Sequence, residues 1–399
     1  MKIAFLMTTP FSLGGEQRVT SVVSNILAQR HDVTIICTNN NVKTDYELYN
    51  LNKNVNIINI IYKRTFFKRV MLKIRKILKN FNMKTGVFKN NISFLKFVNK
   101  NKYLNNEIIE TINKNKFDVV IGVAGEYSII LSLIKDSINS TKAIGWQHNC
   151  FEAYFKTPKR RFYNQDALSK YMIKKLDKYV VLTNYDRECI DSEFGTQCET
   201  IYNPVSFESE IVSKLDKKNF LIAGRLEKVK GHDYLIDSFK YFAEINKEWT
   251  LTIVGDGSER ESIIEKIKQN NLENRIIMEP TTPDIKSYFL KSSIYLMPSR
   301  WEGMPMVILE SLEMGVPVIS FNISAMKELI ENNKEGILIE KYDTKKFADA
   351  MLELTSNPDL LKKMGIAAKQ RARKFSMEEI DKKWNSLLDN IKGEKNENR

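Results

Sequence analysis

The sequence predicts an α/β protein of two doubly wound domains facing each other across a cleft. Two observations carry this expectation. Short apolar strands alternate with amphipathic helices along nearly the whole chain, the pattern of parallel sheets with helices on both faces. The alternation also comes in two blocks, joined at Tyr202-Asn-Pro-Val-Ser206, where Asn-Pro favours a turn. A chain of 399 residues is long enough for two cores. The expected division is 1–205 and 206–374.

In the first block, Lys2 to Met7 reads as a strand. Gly14-Gly-Glu-Gln-Arg18 opens a helix to about Arg30, and Asp32 to Thr38 is the next strand, which is βαβ patterning. Phe117 to Val123, Ala143 to Gln147 and Tyr179 to Leu182 are further strands. In the second block the expected strands are Phe220 to Ala223, Thr250 to Val254, Arg275 to Met278, Ile294 to Met297, Val316 to Ser320 and Gly336 to Ile339. The expected helices between them are Tyr234 to Ile245, Glu259 to Asn270 and Pro283 to Lys291. From Thr344 onward the chain reads as mostly helical, with 394–399 frayed.

Composition narrows the class. Hydrophobic residues make up 43% and charged residues 28%, as in an ordinary soluble globular protein. No apolar run approaches the roughly 18 residues of a membrane helix, and Lys2 to Met7 is too short for a signal-peptide core. Cys37, Cys150, Cys189 and Cys198 show no metal spacing and read as reduced cytoplasmic thiols. Three separated histidines, His31, His148 and His232, argue against a multi-histidine metal site.

The net charge of +13 is concentrated. No acid occurs between Glu47 and Glu107, while that stretch holds fourteen lysines and arginines, so the rest of the chain is close to neutral. Within the segment 51–103, Phe66, Phe67, Val70, Met71, Ile74, Ile77, Leu78 and Phe81 recur at helical spacing. Lys63, Arg64, Lys68, Arg69, Lys73, Arg75 and Lys76 are interleaved with them. A basic amphipathic helix with aromatics suits an anionic membrane surface. The competing reading is a domain helix with an apolar core stripe and solvated lysines. No nucleic-acid-binding module is recognisable, so nucleic acid is not an expected partner. Lys159, Arg160 and Arg161, with Tyr154, Phe155 and Phe162, either extend the membrane-facing patch or form a solvated face.

The most informative run is Ser299 to Ser320. Strand Ile294 to Met297 leads into a loop carrying Glu302 and Gly303. Pro305 suits the first turn of a helix, Glu310 lies within that helix, and Gly315 ends it. A helix start aims free N–H groups and a positive dipole end at an anionic ligand above the strand ends. Two acids flanking that point can hold hydroxyls at both ends of an elongated ligand with phosphates between them. Upstream, Ala223-Gly-Arg-Leu-Glu-Lys-Val-Lys-Gly231 projects Arg225 and Lys230 from a strand end. Fixed cations of this kind stabilise a departing diphosphate without a metal. Gly255-Asp-Gly257 lacks the third glycine of a dinucleotide fingerprint. The chain also has no Asp-x-Asp pair, the usual metal–diphosphate clamp of one major sugar-transferase architecture.

These residues give the chain a resemblance to family 4 glycosyltransferases, the retaining nucleotide-sugar transferases with two Rossmann-like domains in the GT-B arrangement. Gly14-Gly-Glu-Gln-Arg-Val19, His148, Asn203-Pro-Val205, Gly224-Arg-Leu226, Lys230-Gly231, Gly255-Asp-Gly257 and Glu302 to Glu310 carry the likeness along nearly the whole chain. The resemblance implies that Arg225 and Lys230 hold the diphosphate and that Glu310 accepts from ribose hydroxyls. Glu302 and the stretch Gly303, Met304, Pro305, Met306 and Val307, through the backbone N–H groups of its non-proline members, would hold the sugar and phosphate. Gly14 and Gly15 would approach the diphosphate from the N-terminal domain, with His148 in that domain's wall near the reacting sugar. Read alone, His148 could simply be a hydrogen-bonded core histidine, but its place at an expected strand end facing the cleft favours a functional role. A C-terminal helix, about 375–391, would cross back onto the first domain. The nucleobase would lie near Met278, Glu279 and Pro280, where proline stands in place of the family's usual glycine.

The expected activity is hexosyl transfer from a nucleoside-diphosphate sugar, most plainly a UDP-sugar. The acceptor would be a glycan or lipid-linked glycan in polysaccharide biosynthesis, such as capsule assembly. The nucleotide sugar is a co-substrate, and no metal or other cofactor is expected. The location would be cytoplasmic, peripheral on the inner face of the cell membrane. The alternatives are a nucleotide-sugar epimerase on the same scaffold and a non-catalytic membrane-bound partner subunit.

Overall fold

The structure is a computed structural model describing residues 1–39, 41–61, 66–158 and 162–396. Lys63 and Arg64 of the basic stretch lie outside the described residues, as do Lys159, Arg160 and Arg161 and the side chains of Phe66, Phe67, Lys68 and Arg69. The chain divides into two compact units, Met1–Asn203 with Ile380–Arg399, and Pro204–Glu379.

The first unit begins β1 (Lys2–Met7), α1 (Gly15–Leu27), β2 (Asp32–Cys37), β3 (Asn56–Asn59), α2 (Phe66–Thr85), α3 (Ile92–Asn99) and α4 (Lys102–Asn115). It continues β4 (Val119–Val123), α5 (Ala124–Ile134), β5 (Lys142–Trp146), α6 (Asp166–Lys175), β6 (Lys178–Val181), α7 (Asn184–Phe194) and β7 (Glu199–Thr200). The seven strands form one sheet in the order β3-β2-β1-β4-β5-β6-β7, every pair parallel. Ile3 to Met7 and Val119 to Val123 are buried throughout, as expected for strands covered on both faces. The edges are short: β3 carries two apolar residues and β7 is two residues long, too little pattern for either to be read as a strand.

The second unit contains β8 (Asn219–Ala223), α8 (His232–Ile245), β9 (Thr250–Val254), α9 (Arg260–Gln269), β10 (Ile276–Glu279), α10 (Ile285–Leu290) and β11 (Ile294–Met297). It goes on through α11 (Met306–Glu313), β12 (Val318–Phe321), α12 (Ser324–Leu329), β13 (Gly336–Ile339), α13 (Thr344–Ser356) and α14 (Pro358–Ala372). Its six strands are parallel in the order β10-β9-β8-β11-β12-β13. The chain leaves β8 toward β9 on one side and later returns to add β11 on the other. That reversal opens a crevice at the carboxyl ends of β8 and β11, where doubly wound sheets bind ligands.

The last helix, α15 (Met377–Asn396), belongs mostly to the first unit. Trp384 packs edge-on against Trp146 of β5, ring centroids 5.2 Å apart, and both are 1% exposed. His31 Nε2 and Asn385 Oδ1 lie 2.8 Å apart.

The basic helix α2 is not turned as a core stripe would be. Val70, Met71, Ile74, Ile77 and Phe81 are exposed, while its inward side mixes half-buried Leu72, Leu78 and Met83 with the polar residues Arg75, Lys79 and Asn82. Lys79 Nζ donates to Asn99 Oδ1 at 2.7 Å, and Asn82 Nδ2 to the Asn164 carbonyl at 2.8 Å. Arg75 faces inward too, donating to the Lys100 carbonyl at the end of α3 and lying 4.7 Å from the Phe97 ring centroid. Lys73 and Lys76 remain on the outer face, so Arg75 is removed from the set of surface bases. Phe155 and Phe162 stack at 5.1 Å and are 7% and 0% exposed, so these aromatics are core and not part of an outer patch. Among the described residues no helix is long and apolar enough to cross a membrane.

Candidate active site

The crevice in the second unit is shaped by how β8 and β11 end. Their pairing covers Ile294 with Phe220 and Tyr295 with Leu221. Beyond it the Tyr295 hydroxyl donates to the Ala223 carbonyl at 3.0 Å and accepts from the Ala223 N–H at 3.2 Å. A buried phenol thus satisfies the backbone where the strands part. A cavity opens there, lined by Ala223, Gly224, Lys230, His232, Ser299 and Val307 among others.

Two glycines allow the loops over this cavity to close up. Gly231 has φ +72, and a Cβ there would come within 2.0 Å of the Pro298 carbonyl oxygen. Gly255 has φ +151, and its Cβ would meet the Gly224 carbonyl at 1.9 Å. Gly255 therefore lets the loop after β9 lie directly on the loop that carries Arg225, which explains Gly255-Asp-Gly257 without a nucleotide fingerprint.

Lys230 and Glu302, 72 positions apart in sequence, meet at 2.7 Å between Nζ and Oε1. Ser299 Oγ donates to the same oxygen at 2.8 Å. The Glu302 loop is tied to α8 by Arg300. The guanidinium grips Asp233 at 3.0 and 2.6 Å, and the Arg300 N–H donates to the Val229 carbonyl at 2.8 Å. Burial alone would raise the Asp233 pKa, but the Arg300 hydrogen bond and charge outweigh it and hold the carboxyl below the usual range. Neither Arg300 nor Asp233 stood out in the sequence. A paired Arg just before the acid loop is the signal that was available.

Arg225 is elsewhere. Its side chain is 70% exposed and pairs with Glu227 at 3.1 Å, so it is not gathered with Lys230 and Glu302 in this structure. Glu310 is fully buried in α11 and accepts a hydrogen bond from Ser206 Oγ at 2.5 Å. Ser206, just past the linker, is a second partner that pattern reading did not single out. Pro305 stands one position before α11 as its N-cap residue, so Met306 and Val307 supply the first helical amides, above buried Gly303 and Met304. Gly315 takes φ +65 and closes the helix, with Val316 N–H on the Ser311 carbonyl at 2.9 Å. Met278 and Glu279 are half-buried at the end of edge strand β10, and Pro280 follows exposed.

The first-unit candidates sit at strand ends of their own sheet. The Gly14 N–H, at the head of α1, donates to the Tyr49 hydroxyl at 2.8 Å, so a ligand would have to displace that hydroxyl to use it. Gly15 begins α1. His148 follows β5 with its ring 4.3 Å from Trp146, and burial lowers its pKa to about 3, so it is neutral. Among the described residues no group of three or more His, Cys, Asp or Glu side chains is placed to hold a metal ion.

Residues 206–371 match the family model of glycosyl transferases group 1. An uncharacterized glycosyltransferase of Haemophilus influenzae is 28% identical over 97% of this chain and 99% of its own length. The UDP-Gal:alpha-D-GlcNAc-diphosphoundecaprenol alpha-1,3-galactosyltransferase of Escherichia coli is 33% identical over 35% of this chain and 36% of its own. Among solved structures, an S. aureus TarM mutant in complex with fondaparinux, alpha-GlcNAc-glycerol and UDP superposes with a TM-score of 0.77. It is 18% identical, with 97% of this chain and 99% of that one covered. The family match and the fold define a glycosyltransferase class. This chain is a glycosyltransferase with the GT-B fold, and its second unit carries the group 1 domain.

Proposed function

We propose that the protein is a retaining family 4 enzyme that moves a hexosyl unit from a UDP-sugar to a hydroxyl of a glycan or lipid-linked glycan. The observation that carries this reading is the Lys230–Glu302 pair beside Gly224 and the head of α11, at the crevice between β8 and β11. On binding, the diphosphate takes the Lys230 ammonium, and Glu302 is released to accept from sugar hydroxyls. Arg225, exposed and paired with the neighbouring Glu227, swings onto the same phosphates. Glu310, fixed by Ser206, accepts from the ribose. The names of the E. coli relative and of the TarM complex support UDP and a lipid-linked or glycan acceptor.

In the transfer, the bond from the anomeric carbon to the phosphate oxygen breaks as the bond to the acceptor oxygen forms on the same face. The acceptor proton passes to the departing phosphate oxygen. Lys230 and Arg225 stabilise the charge that grows there, with no metal in the step. Gly14, Gly15 and His148 are assigned to the diphosphate and sugar on the resemblance, and Met278 to Pro280 to the base. A thermal-shift panel of UDP, GDP, ADP and their sugars tests the reading, since a ligand of the native state raises its melting temperature. UDP should give the largest shift, and incubation without acceptor should produce no isomer of the sugar. A flat panel would overturn the reading.

We further propose that the protein works against the cytoplasmic membrane face in surface-polysaccharide (capsule-type) assembly, held by α2. The support is the outward ridge of Val70, Ile74, Ile77 and Phe81 with Lys73 and Lys76 beside it, a face matched to anionic lipid. Anionic vesicles should retain the protein at low salt and release much of it at high salt. Equal retention by neutral vesicles would contradict the charge contribution.

A further inference from the structure

The assignments above leave His232 without a task, although it lines the same cavity. It is the first residue of α8, directly after Gly231, and is 3% exposed. Neither Nδ1 nor Nε2 has a hydrogen-bond partner among the described residues. A buried polar atom left unpaired is costly, and one imidazole here carries two. Gly224, Lys230 and Ser299 share the cavity, so the ring borders the space a ligand would fill. Burial and the nearby Lys230 charge lower its pKa to about 4, against a smaller opposing effect of Asp233. The ring is therefore neutral near pH 7, with one N–H to give and one lone pair to accept. The Lys230 cation and the dipole of α8 both make the cavity favourable for an anion.

We infer that His232 is a further ligand-binding residue of this site, its N–H hydrogen-bonding a phosphate oxygen of the nucleoside diphosphate beside Lys230. The inference rests on the diphosphate reading of the cavity. A neutral donor suits this position, because it adds a directed contact without a second buried charge next to Lys230.

The chain has only three histidines, so imidazole 15N signals of the 15N-histidine-labelled protein can be resolved and assigned by substitution. Saturating UDP should move the His232 nitrogens, uridine should leave them in place, and His31, which contacts Asn385, should stay unchanged with either. His232→Leu should weaken UDP binding about tenfold with uridine binding unaltered, and His232→Gln should restore part of the loss. A merely structural histidine would lower the melting temperature and affect both ligands alike. Should UDP bind the wild type and leave the His232 signals unmoved, the inference is wrong while the diphosphate reading stands. A wild type that binds no nucleoside diphosphate would overturn both.

Discussion

Lys230 and Glu302 hold each other at 2.7 Å in a half-buried setting, 22% and 13% exposed. Each is thereby kept in place for a ligand that replaces one partner by phosphate and the other by hydroxyls. Lys230→Ala removes the fixed cation and leaves the carboxylate facing the phosphate. Transfer should fall by about 10² to 10³ in kcat/KM, the scale of losing one preorganised charge-stabilising group. Steady-state kinetics with a normal value would refute the phosphate role. Asp233 makes a separate, pH-dependent contribution. Its folded pKa lies below its unfolded value, near 3.9. The stability it adds is present above about pH 4 and is lost as pH falls through the folded value. Thermal melts from pH 7 down to pH 2 should show this acid-side loss, and it should be smaller in Asp233→Asn.

At the scale of elements, the loop between β8 and α8 depends on Gly231. Gly231→Ala must strain a left-handed backbone and push Pro298 away, costing at least about 2 kcal/mol by urea unfolding. An alanine variant of wild-type stability would mean that Pro298 is not held against this loop. Helix α2 makes the opposite kind of point. Its sequence period shows a stripe, yet period alone cannot say whether the stripe meets core or solvent. The inward side carries half-buried Leu72, Leu78 and Met83 together with polar anchors, Arg75 on the Lys100 carbonyl, Lys79 on Asn99 and Asn82 on Asn164. Ile74→Glu with Ile77→Glu should leave the melting temperature within a few degrees, because both side chains are exposed. The same pair should abolish most binding to anionic vesicles in a co-flotation assay. A large loss of stability would show instead that the stripe is packed.

For the whole molecule, the chain's last helix completes its first unit. Trp384 is 1% exposed against Trp146, which in turn backs His148. Trp384→Ala should cost about 3–5 kcal/mol, the usual range for emptying a buried aromatic site. Calorimetry should place that loss in the first unit, with UDP still raising the melting of the second. A uniform loss in both units would contradict the division of the chain.

The sequence by itself determined the α/β class and most strands of both blocks, β3 and β7 excepted. Continuous apolar runs such as Lys2–Met7 and Gly336–Ile339 are what a sheet buried on both faces requires, and they read the same way in one dimension. It also marked Lys230, Glu302 and Glu310 by residue type. What only the tertiary structure decided is who meets whom. Lys230 with Glu302, Ser206 with Glu310 and the unpaired His232 are juxtapositions across tens of residues, created by the crossover from β8 to β11. The outward turn of α2 and the Tyr49 hydroxyl on the Gly14 amide belong there too. Apolar periodicity encodes burial locally, whereas a hydrogen bond between distant side chains is fixed only when the sheet brings their strand ends together.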